Sequence, residues 1–132
     1  MDYKHTREID TFYNLSDNGV YKLPHSLNIS PGPNNKAKVR ITNDQKTGQV
    51  LAKIVKTRLA DIDVYSPNDQ VDWRVSVNVE IDLEGDVREY VDLDKQPTKQ
   101  ADRNKDRLSY KHQAYQIDLT QVTPSEVSLT CE

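Results

Sequence analysis

The chain has 132 residues, with 18 Lys+Arg against 21 Asp+Glu and a formal net charge of −3. That length holds one domain, and the near-balanced charge excludes a global nucleic-acid footprint, so any anion site must be local. Only 35% of the residues are hydrophobic and 30% are charged, a balance that fits a polar-lined barrel or a piece of a larger domain better than disorder, because the strand patterns are regular.

The lone cysteine, Cys131, excludes an internal disulfide and a CxxC zinc site, and it agrees with a reducing, intracellular setting. No apolar run approaches the length of a membrane span, and Met1-Asp2-Tyr3-Lys4-His5 has no signal-peptide core.

In chain order, residues 3–15 are expected to form a short helix, since Ile9, Phe12 and Tyr13 fall at i, i+3, i+4. Ser16-Asp17-Asn18-Gly19 ends it as a turn. Leu23 to Asn35 is loop-like, with Pro24, Pro31 and Pro33 removing backbone donors. Lys38-Val39-Arg40-Ile41-Thr42 reads as a strand, 43–48 as a turn, and 49–65 as a longer strand. After a turn at 66–70 comes the clearest strand, 72–81, where Trp73, Val75, Val77, Val79 and Ile81 alternate with Arg74, Ser76, Asn78 and Glu80. Residues 82–102 form a charged long loop with Gly85 and Pro97. Strands at 103–112 and 114–123 are joined tightly near His112-Gln113, and 126–132 could begin another strand. The fold class is mainly β (α+β): an antiparallel meander with a short N-terminal helix.

Arg103, Lys105, Arg107 and Ser109 share one strand face, as do Asp118 and Thr120 in the next strand. A row of cations suits a face that lines a polyanion cavity. Arg40, Lys56, Arg58, Lys105 and Arg107 come from three strands and could converge if the sheet closes; the alternative is a solvated face of charge pairs. Glu80, Asp118 and Thr120 are ordinary surface residues unless the fold sets them among those cations. His5, His25 and His112 share no spacing suited to a metal site or a triad. Neither a P-loop nor a GxGxxG motif is present.

The ordered segments Tyr3-Lys4-His5-Thr6 with Ile9-Asp10, Arg40-Ile41-Thr42, Lys46-Thr47-Gly48, Lys56, Val64-Tyr65-Ser66-Pro67, Val75 to Glu80, Arg103 to Tyr110, and Ile117-Asp118-Leu119-Thr120 carry a family resemblance. The chain resembles the fungal RNA 5′-triphosphatase, the beta subunit of the mRNA-capping enzyme, in the triphosphate tunnel metalloenzyme superfamily. The resemblance implies an antiparallel β-barrel tunnel that removes the γ-phosphate from the 5′-triphosphate end of nascent RNA with Mg²⁺ or Mn²⁺. It implies that Arg40, Lys56, Lys105 and Arg107 bind phosphate. It implies catalytic roles for Glu80, which would orient the attacking water, for Asp118, which would act on the metal through water, and for Thr120. It also implies an mRNA guanylyltransferase partner, a homodimer and a nuclear location.

The family's Glu-x-Glu metal pair is not found ahead of Tyr3, and where its Glu-x-Glu-x-Glu strand would stand, Glu126, Ser128 and Thr130 occur. Hydroxyls are poor direct ligands for a hard divalent ion. The resemblance therefore implies a partial tunnel domain over 1–132, with 123–132 a divergent tail, that keeps the phosphate wall and has no identified direct metal ligand. Rival readings are a non-catalytic module binding polyanions or RNA ends, a tunnel hydrolase of polyphosphate or nucleoside triphosphates, and a structural β-domain.

Overall fold

The computed structural model describes residues 2–95 and 102–125. Its strands are β1 (Asp2–Asn14), β2 (Lys38–Asp44), β3 (Val50–Val64), β4 (Trp73–Asp82), β5 (Arg103–His112) and β6 (Tyr115–Pro124), with one helix, α1 (Asp17–Tyr21). They form one six-stranded sheet in the order β4-β3-β2-β1-β5-β6, antiparallel at every pairing and curled as a half-barrel. The mainly β, incomplete barrel expected from the sequence is the fold found.

The helix expected over 3–15 is not there: the segment is the 13-residue strand β1. Phe12 lies on the face opposite to Ile9 and Tyr13, since side chains alternate along a strand. β1 is central, pairing with β2 from Glu8 to Asn14 and with β5 from Asp2 to Asp10. Two ladders of hydrogen bonds outweigh a short-range helical pattern, and Thr6, Ile9 and Thr11 are β-branched residues that suit a strand. Helix falls instead at the expected turn, where Ser16 caps α1 by accepting a hydrogen bond from Gly19 N–H at 3.0 Å.

The turn between β2 and β3 has a local cause. The Asp44 carboxylate accepts the N–H groups of Lys46 and Thr47 at 2.8 and 2.9 Å, and Gly48 takes φ +72.

The sheet is strongly staggered. Asp82 stands level with Ile54, Arg40 and Phe12, whereas Asp10 stands level with Arg103 and Pro124. β4 and β6 thus extend to opposite ends of β1, as the register shear of a closing barrel requires.

One face of the sheet carries the core. Leu15, Val20, Leu23, Leu27, Val39, Val55, Leu83 and Val91 cluster there, with Tyr13, Ile41, Val79 and Ile81 packed against them. Val39 and Val55 are fully buried, each contributing roughly 1.5–3 kcal/mol. The segment expected as a loop over 82–102 is part of this core through Leu83 and Val91; it holds 3₁₀ turns at Val87–Glu89 and Leu93–Lys95, and Val91 bridges to Leu15. Residues 96–101, and the strand expected at 126–132, lie outside the described residues.

Candidate functional site

The opposite face is polar. Pairing places Thr6, Glu8, Asp10, Arg40, Thr42, Lys56, Glu80, Arg103, Lys105, Arg107, Asp118 and Thr120 on it together, because directly opposed residues share a face. Every site residue expected from the sequence is therefore on one surface.

Those residues also follow a diagonal. Lys56 and Glu80 are opposite each other, one step beyond Val55, which is level with Val39 and Tyr13. Arg40 is level with Phe12, Lys105 with Glu8, and Arg107 and Thr120 with Thr6. The band descends about two residues per strand, and in a sheared barrel residues along such a diagonal stand at similar height around the lumen.

Three groups make up the band. At the β4 side, Glu80 Oε1 lies 3.3 Å from Lys56 Nζ and 4.0 Å from Arg40 Nη2. Arg40 Nε is buried and has no acceptor among the described residues. A buried guanidinium donor without an acceptor is costly, and Arg103 Nε shares that state.

At the β6 side, Arg107 Nε donates to Thr120 Oγ1 at 3.0 Å, and Arg107 Nη1 lies 3.7 Å from Asp118 Oδ2. Gln116 also donates to Asp118 at 2.9 Å. Hydrogen bonds from Ser109 and Gln116, with the Arg107 charge, hold the Asp118 carboxyl below its usual value. It remains an anion at neutral pH.

The middle of the band contains residues that spacing alone did not single out. Asp10 is fully buried. Its Oδ2 accepts from Arg103 at 2.6 Å, and its Oδ1 accepts from Thr42 at 2.7 Å and lies 3.1 Å from Lys105 Nζ. Burial pushes the Asp10 carboxyl up, but the hydrogen bonds of Arg103, Thr42 and Lys105 outweigh it and lower it overall. Glu8 Oε2 is also 3.1 Å from Lys105. Lys105 is only 6% exposed, so it is a structural ion-pair partner in this arrangement as well as a candidate phosphate cation. The alternation Thr6-x-Glu8-x-Asp10 was the available signal, hidden by the helical reading of the segment.

Arg58 does not join the band's centre. It lies 3.4 Å from Asp61, and Arg74 bridges Asp61 and Asp63 at 3.7 and 2.5 Å, forming a surface ladder on the outer part of β3 and β4. No group of three His, Cys, Asp or Glu side chains able to hold a metal occurs among the described residues.

The family model described as "mRNA capping enzyme, beta chain" matches residues 1–130. The mRNA-capping enzyme subunit beta of Schizosaccharomyces pombe is 34% identical over 94% of this chain and 33% of that protein. The subunit of the same name from Cryptococcus neoformans is 32% identical over 93% of this chain and 25% of that protein. Among solved structures, S. pombe Pct1 RNA triphosphatase in complex with the Spt5 CTD matches with TM-score 0.67 and 33% identity, over 93% of this chain and 39% of that one. The chain thus spans a third or less of these curated relatives.

Proposed function

The chain belongs to the mRNA capping enzyme beta-chain family, and from that premise we propose that its diagonal polar band is one wall of a triphosphate-binding tunnel. The reaction is removal of the γ-phosphate from the 5′-triphosphate end of RNA, leaving a 5′-diphosphate. The observation that carries this reading is the band itself: Arg40, Lys56, Lys105 and Arg107 on one face, interleaved with Glu80, Asp118 and Thr120.

Phosphoryl transfer spreads negative charge over non-bridging oxygens, so positioned cations supply most of what a protein can offer. Arg40 and Lys56 would grip phosphate beside Glu80, and Arg107 would do so from the far side. Glu80 would take a proton from the attacking water as the Pγ–O bond to the β-phosphate breaks. Asp118 and Thr120 orient the Arg107 fork.

Mg²⁺ or Mn²⁺ is part of the proposal for the whole protein, but the described residues do not fit such an ion. Glu8 and Asp10 are occupied by Lys105 and Arg103, and Asp118 is a lone carboxylate beside Arg107, suited at most to contact through water. An mRNA guanylyltransferase partner and a nuclear location fit the relatives' designation as capping-enzyme subunits, and a homodimer completes the proposal.

One second reading, a module that binds triphosphate ends without hydrolysis, is favoured by the ion pairs that tie Glu8 and Asp10 to Lys105 and Arg103. The experiment is phosphate release by this chain from γ-labelled triphosphate-ended RNA, with and without Mg²⁺ or Mn²⁺. Metal-dependent release that disappears in Glu80→Ala is expected of the hydrolase. Salt-dependent binding without release, indifferent to Glu80→Ala, would establish the binding module instead.

A further inference from the structure

Lys105 is held by two carboxylates of different character. Asp10 is fully buried and fixed on both oxygens, by Thr42 and by Arg103. Glu8 sits at the edge of the buried cluster with its side chain 18% exposed, and Lys105 is its only ion-pair partner among the described residues. Its longer side chain can swing toward the open face, whereas Asp10 cannot leave without stranding Arg103.

The charges in this cluster balance: Glu8 and Asp10 against Arg103 and Lys105. A triphosphate approaching Lys105 therefore meets a neutralised ammonium rather than a free one. Were Glu8 withdrawn, one uncompensated positive charge would remain in a partly desolvated site, where a cation attracts an anion more strongly than in water.

We propose that Glu8 is an exchangeable counter-ion of Lys105, occupying the ammonium until a phosphate group displaces it. Glu8 is then a positioning residue that keeps Lys105 extended and buried when no anion is bound, and that weakens the affinity for any polyanion. The proposal rests on the reading of the polar band as a phosphate site.

The test is calorimetric titration of the full chain with inorganic tripolyphosphate, comparing wild type, Glu8→Gln, Glu8→Asp and Arg107→Ala, with thermal melting of each as the folding control. Glu8→Gln keeps the side chain's shape and a hydrogen-bond acceptor while removing the charge. It is expected to bind about threefold to tenfold more tightly, a range set by one screened charge near the site. Glu8→Asp, which draws the carboxylate back by one methylene, is expected to gain less. If Glu8→Gln does not fold, the Glu8→Asp variant decides alone, and no gain there overturns the proposal. A merely structural Glu8 would lower both melting point and affinity, which also overturns it. Unchanged or weaker binding by Glu8→Gln, while Arg107→Ala still weakens binding, sinks the Glu8 proposal and leaves the phosphate site standing. Absence of tripolyphosphate binding in every protein, wild type included, sinks the phosphate reading and the Glu8 proposal with it.

Discussion

Lys56 and Glu80 face each other directly across β3 and β4, with the ammonium 3.3 Å from Oε1. Glu80 also lies 4.0 Å from Arg40 Nη2, so one carboxylate stands between two cations. Both contacts fall on Oε1, so in the proposed reaction Oε2 is the oxygen that would orient water while the cations bind phosphate. Binding and catalysis should therefore separate at this position.

Glu80→Gln is expected to lower the rate of γ-phosphate release by about 10²–10⁴-fold, the usual range for losing a general base, while tripolyphosphate affinity is unchanged or higher. Parallel rate and calorimetric measurements check this. A matched loss of both would mean that Glu80 serves only to hold Arg40 and Lys56 in place.

At Arg107, geometry as well as charge matters. Its Nε donates to Thr120 while Nη1 reaches toward Asp118, a fork that a lysine cannot reproduce. Both Arg107→Lys and Arg107→Ala should weaken tripolyphosphate binding, with Lys recovering little of the loss. Full recovery by Lys would reduce Arg107 to a point charge.

Asp10→Ala removes a buried carboxylate and leaves Arg103 and Lys105 without their shared partner. The cost is expected to be about 3–5 kcal/mol, the range for breaking a buried ion pair, read as a fall in the urea midpoint. Asp63→Ala, at a surface pair with Arg74, should cost no more than about 1 kcal/mol.

The same carboxylate contributes to the acid stability, beside Asp44, Asp63, Asp106 and Asp118, which the fold also lowers. Because the folded state lowers the Asp10 carboxyl, the unfolded chain binds the proton more readily. The stabilisation is complete above the unfolded value of about 3.9 and is lost as pH falls through the folded value. Unfolding free energy should therefore drop on acidification below about pH 4, and Asp10→Asn should flatten that part of the profile. An unaltered profile in Asp10→Asn would assign the acid sensitivity to other carboxylates.

Gly19 of α1 lies against the Tyr90 backbone in the segment after β4. A Cβ there would meet the Tyr90 carbonyl oxygen at 2.2 Å, and that same carbonyl accepts hydrogen bonds from Ser16 N–H and Ser16 Oγ, each at 2.9 Å. Gly19→Ala should detach this segment from the core, seen as faster amide exchange at Ser16 and Val91 with β5 and β6 unaffected. Unchanged exchange at Ser16 would show that α1 can shift to admit the methyl group.

Strand character from β2 to β6 was legible in the sequence because period-two alternation is a local property: Trp73 to Ile81 and Arg103 to Ser109 each state which side chains share a face. The same logic put Arg103, Lys105 and Arg107 on one face and Asp118 with Thr120 on another, whereas the site roles of Arg40, Lys56, Glu80, Asp118 and Thr120 came from the family resemblance. What no single strand states is its neighbours and its stagger. Residues 3–15 carry a weak helical spacing that lost to two hydrogen-bonded ladders, so the place of Glu8 and Asp10 in the middle of the polar band emerged only once β2 and β5 paired with β1. The burial of Lys105 between those carboxylates, and the diagonal that ranges Glu80, Arg40, Lys105 and Arg107 across one face of the sheet, follow from non-local register. Sequence by itself determined the faces; the tertiary structure decided their alignment, because register is fixed by hydrogen bonds between residues far apart in the chain.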